Sequence, residues 1–289
     1  MKFRTEVTLP EVAFRLQPSS HVLLLGSCFA EEVGARLCDA LPEGHVRVNP
    51  CGVLYNPASI AQALRLLMAD EAGRCAMLED SLFLAPDGRW HSWLMSTKFT
   101  GCSRQEALDC CLDSLPAAID KVDVMVLTLG TDRCYVLRDD QRVVANCHKV
   151  PASRFDECTC PPGALTEALA EVYTRFPQLQ VLLTVSPYRY AKYGFHESQL
   201  SKARLLLMAD ELCRQAPMWV SYFPAYELLL DELRDYRFYA QDMLHPSDQA
   251  ADYIFERFAD WCFSAEMRQF AGQRARELKQ QRHIPNNIH

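Results

Sequence analysis

The chain has 289 residues, of which 49% are hydrophobic, and this is enough to bury a full core as one large domain. Its formal net charge is −7, which favours solubility and argues against a polyanion such as DNA as the main partner. The first twenty residues carry charges and prolines where a secretory signal needs an unbroken apolar stretch, and no later run reaches the roughly 20 apolar residues of a membrane span. We therefore expect a soluble, cytoplasmic protein with no membrane span, and the oligomeric state stays open.

Short apolar runs alternate along the chain with stretches of helical spacing, and this pattern predicts an α/β fold with a parallel sheet. Five strands are predicted, at residues 21–25, 45–48, 124–129, 180–185 and 218–222. The helices between them are predicted at residues 29–41, 59–68, 104–119, 162–176 and 197–215. Because crossovers between parallel strands are right-handed, these helices are expected on both faces of the sheet, giving three α/β/α layers.

Two further stretches break this alternation, and each predicts a small hairpin inserted near the edge of the sheet. In each stretch, two runs of strand-forming residues flank a turn that contains Asp, in one case with Pro and Gly. The paired runs are residues 81–84 with 89–94, and residues 134–137 with 142–145.

The last predicted core helix runs from Ser247 to about residue 263. The segment from Ala265 onward is polar, with five Lys or Arg against two Glu, and this predicts a surface helix that ends in a frayed, proline-containing terminus. We therefore expect a single domain at residues 1–264, followed by a polar C-terminal helix and tail at residues 265–289.

Thirteen cysteines are scattered along the chain, mostly beside apolar residues, which indicates small buried thiols in a reducing compartment. A structural zinc site needs two ligand pairs at short spacing. The closest candidates are Cys158 with Cys160, Cys110 with Cys111, and Cys147 with His148, and none forms such a framework. The spacing predicts no metal site.

The first candidate catalytic element follows the first predicted strand, where Gly26 and Ser27 lead into a helix. A serine hydroxyl in this position lies beside free N–H groups and the positive end of the helix dipole, which stabilise a developing oxyanion. The alternative is that Ser27 only caps the helix, because serine is a preferred N-cap residue.

The second candidate element is Asp242-Met-Leu-His245, in the segment before the last core helix. A spacing of three lets the carboxylate orient the imidazole from one side, while the other ring nitrogen points toward a nucleophile. This pattern arises easily by chance, so its position in the chain supports it more than its spacing does.

The third candidate element is a pair of glycine turns, at Gly52 after the second strand and at Gly130 after the third. Glycine lets the backbone approach a substrate closely and direct an N–H group at it. The alternative is that both are ordinary turns between a strand and a helix.

Residues 26–30, which read GSCFA, resemble the signature of the GSCFA family, which is similar to the SGNH/GDSL hydrolases. The resemblance continues in order along nearly the whole chain, through NPCGVLYNP (49–57), TLGT (128–131), NCHKVP (146–151), SPYRY (186–190) and residues 221–247. It implies a flavodoxin-like fold with a five-stranded parallel sheet, as in SGNH hydrolases.

The same resemblance implies a catalytic triad, with Ser27 as the nucleophile, His245 as the general base and Asp242 as its orienting carboxylate. It places the N–H groups of Ser27 and Gly52 in the oxyanion hole, and it implies no metal or organic cofactor. Cys28 is the alternative nucleophile, because a thiol at the start of a helix is expected to have a lowered pKa.

The third sequence block departs from the superfamily, which has G-x-N-D where this chain has Gly130-Thr131-Asp132-Arg133. An ionised Asp132 cannot donate a hydrogen bond, so we expect Thr131, Asn146 or His148 to supply the third oxyanion donor. The carboxylate is expected to turn away from the oxyanion, toward Arg133.

The residues expected to bind substrate are Gly130, His148 and Arg189. Arg189 and Lys202 resemble family positions, and each is a candidate to pair with an anionic group of the substrate. For Arg189 a structural ion pair is the alternative.

The resemblance implies a serine esterase that hydrolyses a small acyl ester, on a carbohydrate or another metabolite. One alternative is an acyltransferase that uses the same triad. The other is a catalytically weak binding protein of the same fold, which the missing third-block asparagine supports.

Overall fold

The structure, a computed structural model, describes residues 4–116 and 119–283. In chain order its strands are β1 (Val22–Gly26), β2 (Val46–Val48), β3 (Leu82–Leu84), β4 (Trp90–Ser92), β5 (Val124–Leu129), β6 (Arg133–Leu137), β7 (Val143–Val144), β8 (Phe155–Thr159), β9 (Gln180–Val185) and β10 (Val220–Tyr222). Its helices are α1 (Cys28–Ala40), α2 (Pro57–Met68), α3 (Glu71–Ser81), α4 (Arg104–Ser114), α5 (Ala164–Arg175), α6 (Phe195–Gln215), α7 (Ala225–Glu227), α8 (Asp248–Cys262) and α9 (Ala265–His283). A π-helical turn, Leu228–Leu233, follows α7 directly.

The central sheet consists of five parallel strands in the spatial order β2-β1-β5-β9-β10. This confirms the predicted α/β fold, and the strand order is that of flavodoxin-like proteins. The order of strands along the chain reverses between β1 and β5, so the loops that follow these two strands diverge and leave a crevice at the carboxyl edge of the sheet.

Side chains alternate between the two faces of the sheet and fill two separate apolar layers. On β1, Val22 and Leu24 pack in the layer under α1 and α8, while Leu23 and Leu25 pack in the layer under α2, α5 and α6. Helices therefore cover both faces, as the right-handed crossovers predict.

The two predicted hairpins are present as β3–β4 and β6–β7. Strand β8 extends the second hairpin into a three-stranded sheet by pairing with β6, and the sequence did not predict this strand because most of its side chains are exposed. Helix α3 was also missed, since only Leu78 and Ser81 of it are buried.

The predicted helix at residues 104–119 ends at Ser114, and residues 117–118 of that prediction lie outside the described residues. Helix α9 begins at Ala265 and contacts α1, with Met267 buried. The predicted proline-containing terminus, residues 284–289, also lies outside the described residues. In the described part of the chain, no helix combines the length and the apolar character needed to cross a bilayer.

We expect Gly26→Ala to destabilise the protein far more than Gly44→Ala. Both glycines have positive φ, +141° and +80°, but a Cβ on Gly26 would lie 2.2 Å from the Thr128 carbonyl oxygen, whereas Gly44 has no atom within 4 Å. The backbone conformation alone costs about 1 to 2 kcal/mol, and the overlap should bring the Gly26→Ala loss to about 3 kcal/mol or more. Urea unfolding of both variants measures this, and equal losses would contradict the close approach.

Candidate active site

Ser27 stands between the end of β1 and the first residue of α1, at the crevice beside β5. Its backbone is extended, and its side chain makes no capping hydrogen bond to the helix. The residue is 1% exposed, and its Oγ has no hydrogen-bond partner among the described residues. The hydroxyl therefore does not serve as a helix cap, which was the alternative role predicted for it.

Asp242 and His245 form a local pair in the loop before α8. Asp242 Oδ2 lies 2.5 Å from His245 Nδ1, and Oδ1 accepts the N–H groups of Leu244 and His245 at 2.9 and 3.0 Å. The bond to the His245 ring, followed by the bonds from the two N–H groups, lowers the pKa of Asp242 from 3.8 to about 2. At any pH above the ordinary pKa of 3.8, the Asp242 carboxylate is therefore charged and its pairing with His245 is present. The pairing is lost only as the pH falls toward about 2.

The loop that carries this pair is joined to the carboxyl end of β9. Arg189 donates its backbone N–H to the Leu244 carbonyl at 3.0 Å and its Nη1 to the Met243 carbonyl at 3.1 Å. The Tyr188 ring lies 4.4 Å from the His245 ring, centre to centre. The structure thus brings Ser27 and the Asp242–His245 pair to the same edge of the sheet, but it forms no hydrogen bond between Ser27 Oγ and His245.

The predicted oxyanion donors from the backbone are already engaged. The N–H of Ser27 donates to the Thr128 carbonyl at 3.1 Å, and the N–H of Gly52 donates to the Asn49 carbonyl at 2.7 Å. The first bond joins the end of β1 to β5, and the second closes the turn after β2. The prediction is corrected accordingly: neither N–H group is a free donor in this structure.

Asn49 is a residue of this site that the sequence analysis did not single out. It is buried, has a positive φ of 44°, and accepts the N–H of Gly26 on Oδ1 at 2.9 Å. Its Nδ2 has no partner among the described residues. A buried amide donor therefore lies beside the residue that precedes Ser27. The only sequence signal for it is its position directly after β2, in the same turn as Gly52.

Gly130 lies against Ser27, and its predicted contact with a substrate stays a prediction. A Cβ on Gly130 would meet the Tyr55 carbonyl oxygen at 2.9 Å and the Ser27 Cβ at 3.4 Å. The N–H groups of Gly130 and Thr131 both donate to that Tyr55 carbonyl at 2.8 Å. The Thr131 hydroxyl is bonded to Ser201 Oγ at 3.1 Å, so it is not directed freely at an oxyanion.

Asp132 does not pair with Arg133 as predicted. Its Oδ2 pairs with Arg204 of α6 at 2.8 Å, while Arg133 pairs with Glu197 at 2.8 Å. Neighbouring residues at the start of a strand point to opposite sides, so adjacent Asp132 and Arg133 reach different partners. The Asp132 side chain is 3% exposed and the pair is half-buried.

Asn146 and His148 lie among the insertions. Asn146 Oδ1 accepts the Thr97 hydroxyl at 3.0 Å and the His148 N–H at 2.8 Å. The His148 ring is buried in contact with Trp93 and His91, at 5.7 and 4.8 Å between ring centres. Burial lowers the pKa of His148 to about 4, and the nearby His91 ring makes a smaller contribution in the same direction. The ring is therefore closed off from solvent, and the role of His148 in binding substrate stays a prediction.

Lys202 is fully buried and satisfied by the protein itself. Its Nζ donates to the carbonyls of Gly130 and Ser186 at 2.7 and 2.8 Å, so it links the ends of β5 and β9. Burial lowers the pKa of this ammonium group to about 7. The expected pairing of Lys202 with a substrate anion is therefore replaced by a structural bond between two strands.

Cys28 does not have the lowered pKa that its position predicts. Burial raises the pKa of the thiol, with a smaller contribution from Glu31, and these outweigh the N–H groups at the start of α1. A thiol with a raised pKa is a weaker candidate nucleophile at neutral pH.

A model of the GSCFA family matches residues 21–258 of the chain. Similar solved structures include a Streptococcus pneumonia protein described as a platelet activating factor, which is 14% identical with a TM-score of 0.38, covering 84% of each chain. They also include an acetyl xylan esterase from the rumen bacterium Butyrivibrio proteoclasticus, 9% identical with a TM-score of 0.41, where the match covers 84% of this chain and 63% of the esterase. The comparison with curated proteins finds no match.

We expect Asp132→Asn to lower the stability of the protein. Asparagine loses the charged bond to Arg204, which is worth about 1 kcal/mol for a half-exposed pair. The free energy of unfolding, measured by urea denaturation, should fall by that amount. An unchanged free energy of unfolding would contradict a stabilising role for this ion pair.

Proposed function

The chain belongs to the GSCFA family, and we propose that it is a serine esterase of the SGNH/GDSL type that hydrolyses a small acyl ester. The observation that carries this proposal is the preformed Asp242–His245 pair, at 2.5 Å, in a loop anchored at the edge where Ser27 lies. A carboxylate on Nδ1 favours the tautomer in which Nε2 is the basic nitrogen. Nothing within the described residues bonds the buried Ser27 hydroxyl, so no competing hydrogen bond has to be broken when it pairs with that base.

The proposed reaction has two stages, acylation of Ser27 and its hydrolysis. His245 Nε2 takes the proton of Ser27 Oγ, and the oxygen attacks the ester carbonyl to give a tetrahedral oxyanion. His245 then gives the proton to the departing alcohol, leaving an acyl group on Ser27. A water molecule, deprotonated by the same imidazole, attacks this acyl-serine and restores the free hydroxyl. These steps use no metal and no organic cofactor.

Two adjustments accompany substrate binding in this proposal. Ser27 Oγ and His245 must come into hydrogen-bond contact, and such bonds are often long in free enzymes and tighten when substrate binds. The oxyanion also needs donors, because the N–H groups of Ser27 and Gly52 are engaged. The unpaired Nδ2 of Asn49 is the candidate we favour for the donor that the third sequence block lacks.

The substrate class proposed for this site is a small acyl ester of a carbohydrate or another metabolite. Fold and triad do not select a substrate, so the acyl group has to be found by assay. Product analysis with and without an added sugar acceptor separates hydrolysis from acyl transfer, because a transferase forms the acylated sugar in place of the free acid.

We expect Ser27→Ala to abolish hydrolysis of 4-nitrophenyl acetate and labelling by a fluorophosphonate, because the covalent route requires the hydroxyl. Cys28→Ser is the matched control, one residue along the chain, and should keep both activities. Since Ser27 makes no capping bond, Ser27→Ala should leave the thermal unfolding midpoint nearly unchanged. Intact mass before and after labelling gives the readout. An active Ser27→Ala protein together with an inactive Cys28→Ser protein would refute Ser27 as the nucleophile.

We expect Asp242→Asn to lower kcat/KM by about 10²-fold or more, because the amide no longer holds the imidazole in the productive tautomer. Asp248→Asn is the control: it removes the same charge three residues beyond His245 but leaves the contact between Asp242 and the His245 ring in place. It should change kcat/KM by less than about twofold. Steady-state kinetics on the two variants decides the point. Equal effects would mean that Asp242 acts only through its charge.

A further inference from the structure

A cavity of about 430 Å³ opens directly beside the Asp242–His245 loop. It lies between the segment after β9, the start of α6 and the π-helical turn after α7. Tyr188 lines this cavity and also contacts the His245 ring, so the cavity adjoins the proposed catalytic base. Its other principal lining residues are Arg189, Phe195, Tyr226, Tyr236 and Tyr239.

The Arg189 guanidinium is the central polar group of this cavity. It lies over three aromatic rings, at 4.3 Å from Phe195, 5.2 Å from Tyr239 and 5.6 Å from Tyr236. Of the five N–H donors of a guanidinium, one bonds the Met243 carbonyl at 3.1 Å. Within the described residues no carboxylate forms an ion pair with it, so most of its donors stay available to a ligand.

The other charged residues that line the cavity are Asp231, Arg234 and Asp235, and each has an ion-pair partner. Asp231 lies 3.9 Å from Arg234, and Asp235 lies 3.8 Å from Arg237, which is outside the lining; all four side chains are largely exposed. Exposed pairs of this kind contribute little field after screening by solvent and salt. Arg189 is therefore the lining cation whose charge the described residues leave unmatched.

The remaining groups suit a hydroxylated ring. The Tyr226 hydroxyl is held by Gln199 at 2.7 Å, which fixes that wall. The rings of Tyr236 and Tyr239, over which Arg189 lies, add apolar surface to the lining. A planar guanidinium with several free N–H groups binds a carboxylate or a phosphate through two parallel hydrogen bonds. The combination favours an acidic ligand with a carbon ring.

We propose that this cavity is a subsite for a carboxylate or phosphate group of the substrate, which Arg189 binds while the ester lies at Ser27. The assignment of this cavity as a substrate subsite rests on the proposed esterase function. Because Arg189 also donates to the carbonyls of Met243 and Leu244, the residue that holds the anion supports the loop of the catalytic base. Acidic sugars and sugar phosphates carrying an acyl ester are the substrate class that fits.

Binding of three unesterified probes tests the subsite on the unmodified protein: glucuronate, glucose 6-phosphate and glucose, titrated calorimetrically at 0.15 M salt. We expect at least one of the two anions to bind at least tenfold more tightly than glucose, and the better of the two identifies the anionic group. Equal binding of all three probes, or binding of none, overturns the proposal. The salt concentration keeps distant surface charges screened.

Substitution of Arg189 then assigns the effect to this residue. Arg189→Met keeps the contact with the aromatic rings and removes the charge, and it should weaken anion binding at least tenfold while leaving glucose binding unchanged. Arg237→Met, which removes a cation outside the cavity lining, should have no such effect. Arg189→Lys keeps the charge without the planar fork and should give an intermediate affinity if Arg189→Met does not fold. Unchanged anion binding in the Arg189 variants would show that Arg189 only braces the loop.

The two proposals fail separately. Fluorophosphonate labelling of Ser27 with hydrolysis of 4-nitrophenyl acetate, but no preference for anions, would overturn the subsite and leave the esterase. An Arg189-dependent preference for anions in a protein that neither labels nor hydrolyses would overturn the esterase and leave an anion-binding site.

Discussion

The geometry of the site depends on the contact between Gly26 and the backbone of Thr128. The two residues are register partners on β1 and β5, and the chain at Gly26 runs so close to Thr128 that no side chain fits. The bond from the Ser27 N–H to the Thr128 carbonyl fixes this close approach of the two strands. It places Ser27 at the point where the strand order reverses, which is where an open α/β sheet forms its ligand crevice.

The edge around Ser27 is held by polar groups that bond across strands. Lys202 joins the ends of β5 and β9 through two carbonyls, and the Tyr55 carbonyl receives two N–H groups from the turn after β5. A fully buried ammonium group is costly to desolvate, and its lowered pKa shows that cost. These buried polar groups hold the loops in fixed positions, and a rigid edge allows a small number of side chains to be placed accurately.

The opposite half of the site is a local structure with its own supports. Asp242 and His245 pair within four residues, and Arg189 and Tyr188 attach their loop to the end of β9. Arg189 and Tyr188 also line the neighbouring cavity. Under the two proposals, the side chains that recognise the substrate are therefore the ones that hold the loop of the catalytic imidazole.

The sequence by itself determined what depends on near neighbours: the five strands, the turn at Gly26, and a carboxylate three residues before His245, because periodicity and short spacing decide which groups meet. Only the tertiary structure decided that Asp132 pairs with Arg204, 72 residues away, and not with the adjacent Arg133. It also decided that His148 is buried and that Asn49 bonds beside Ser27. These contacts depend on how a helix is rotated against the sheet and how deeply an insertion packs, and no local pattern in the chain encodes either quantity.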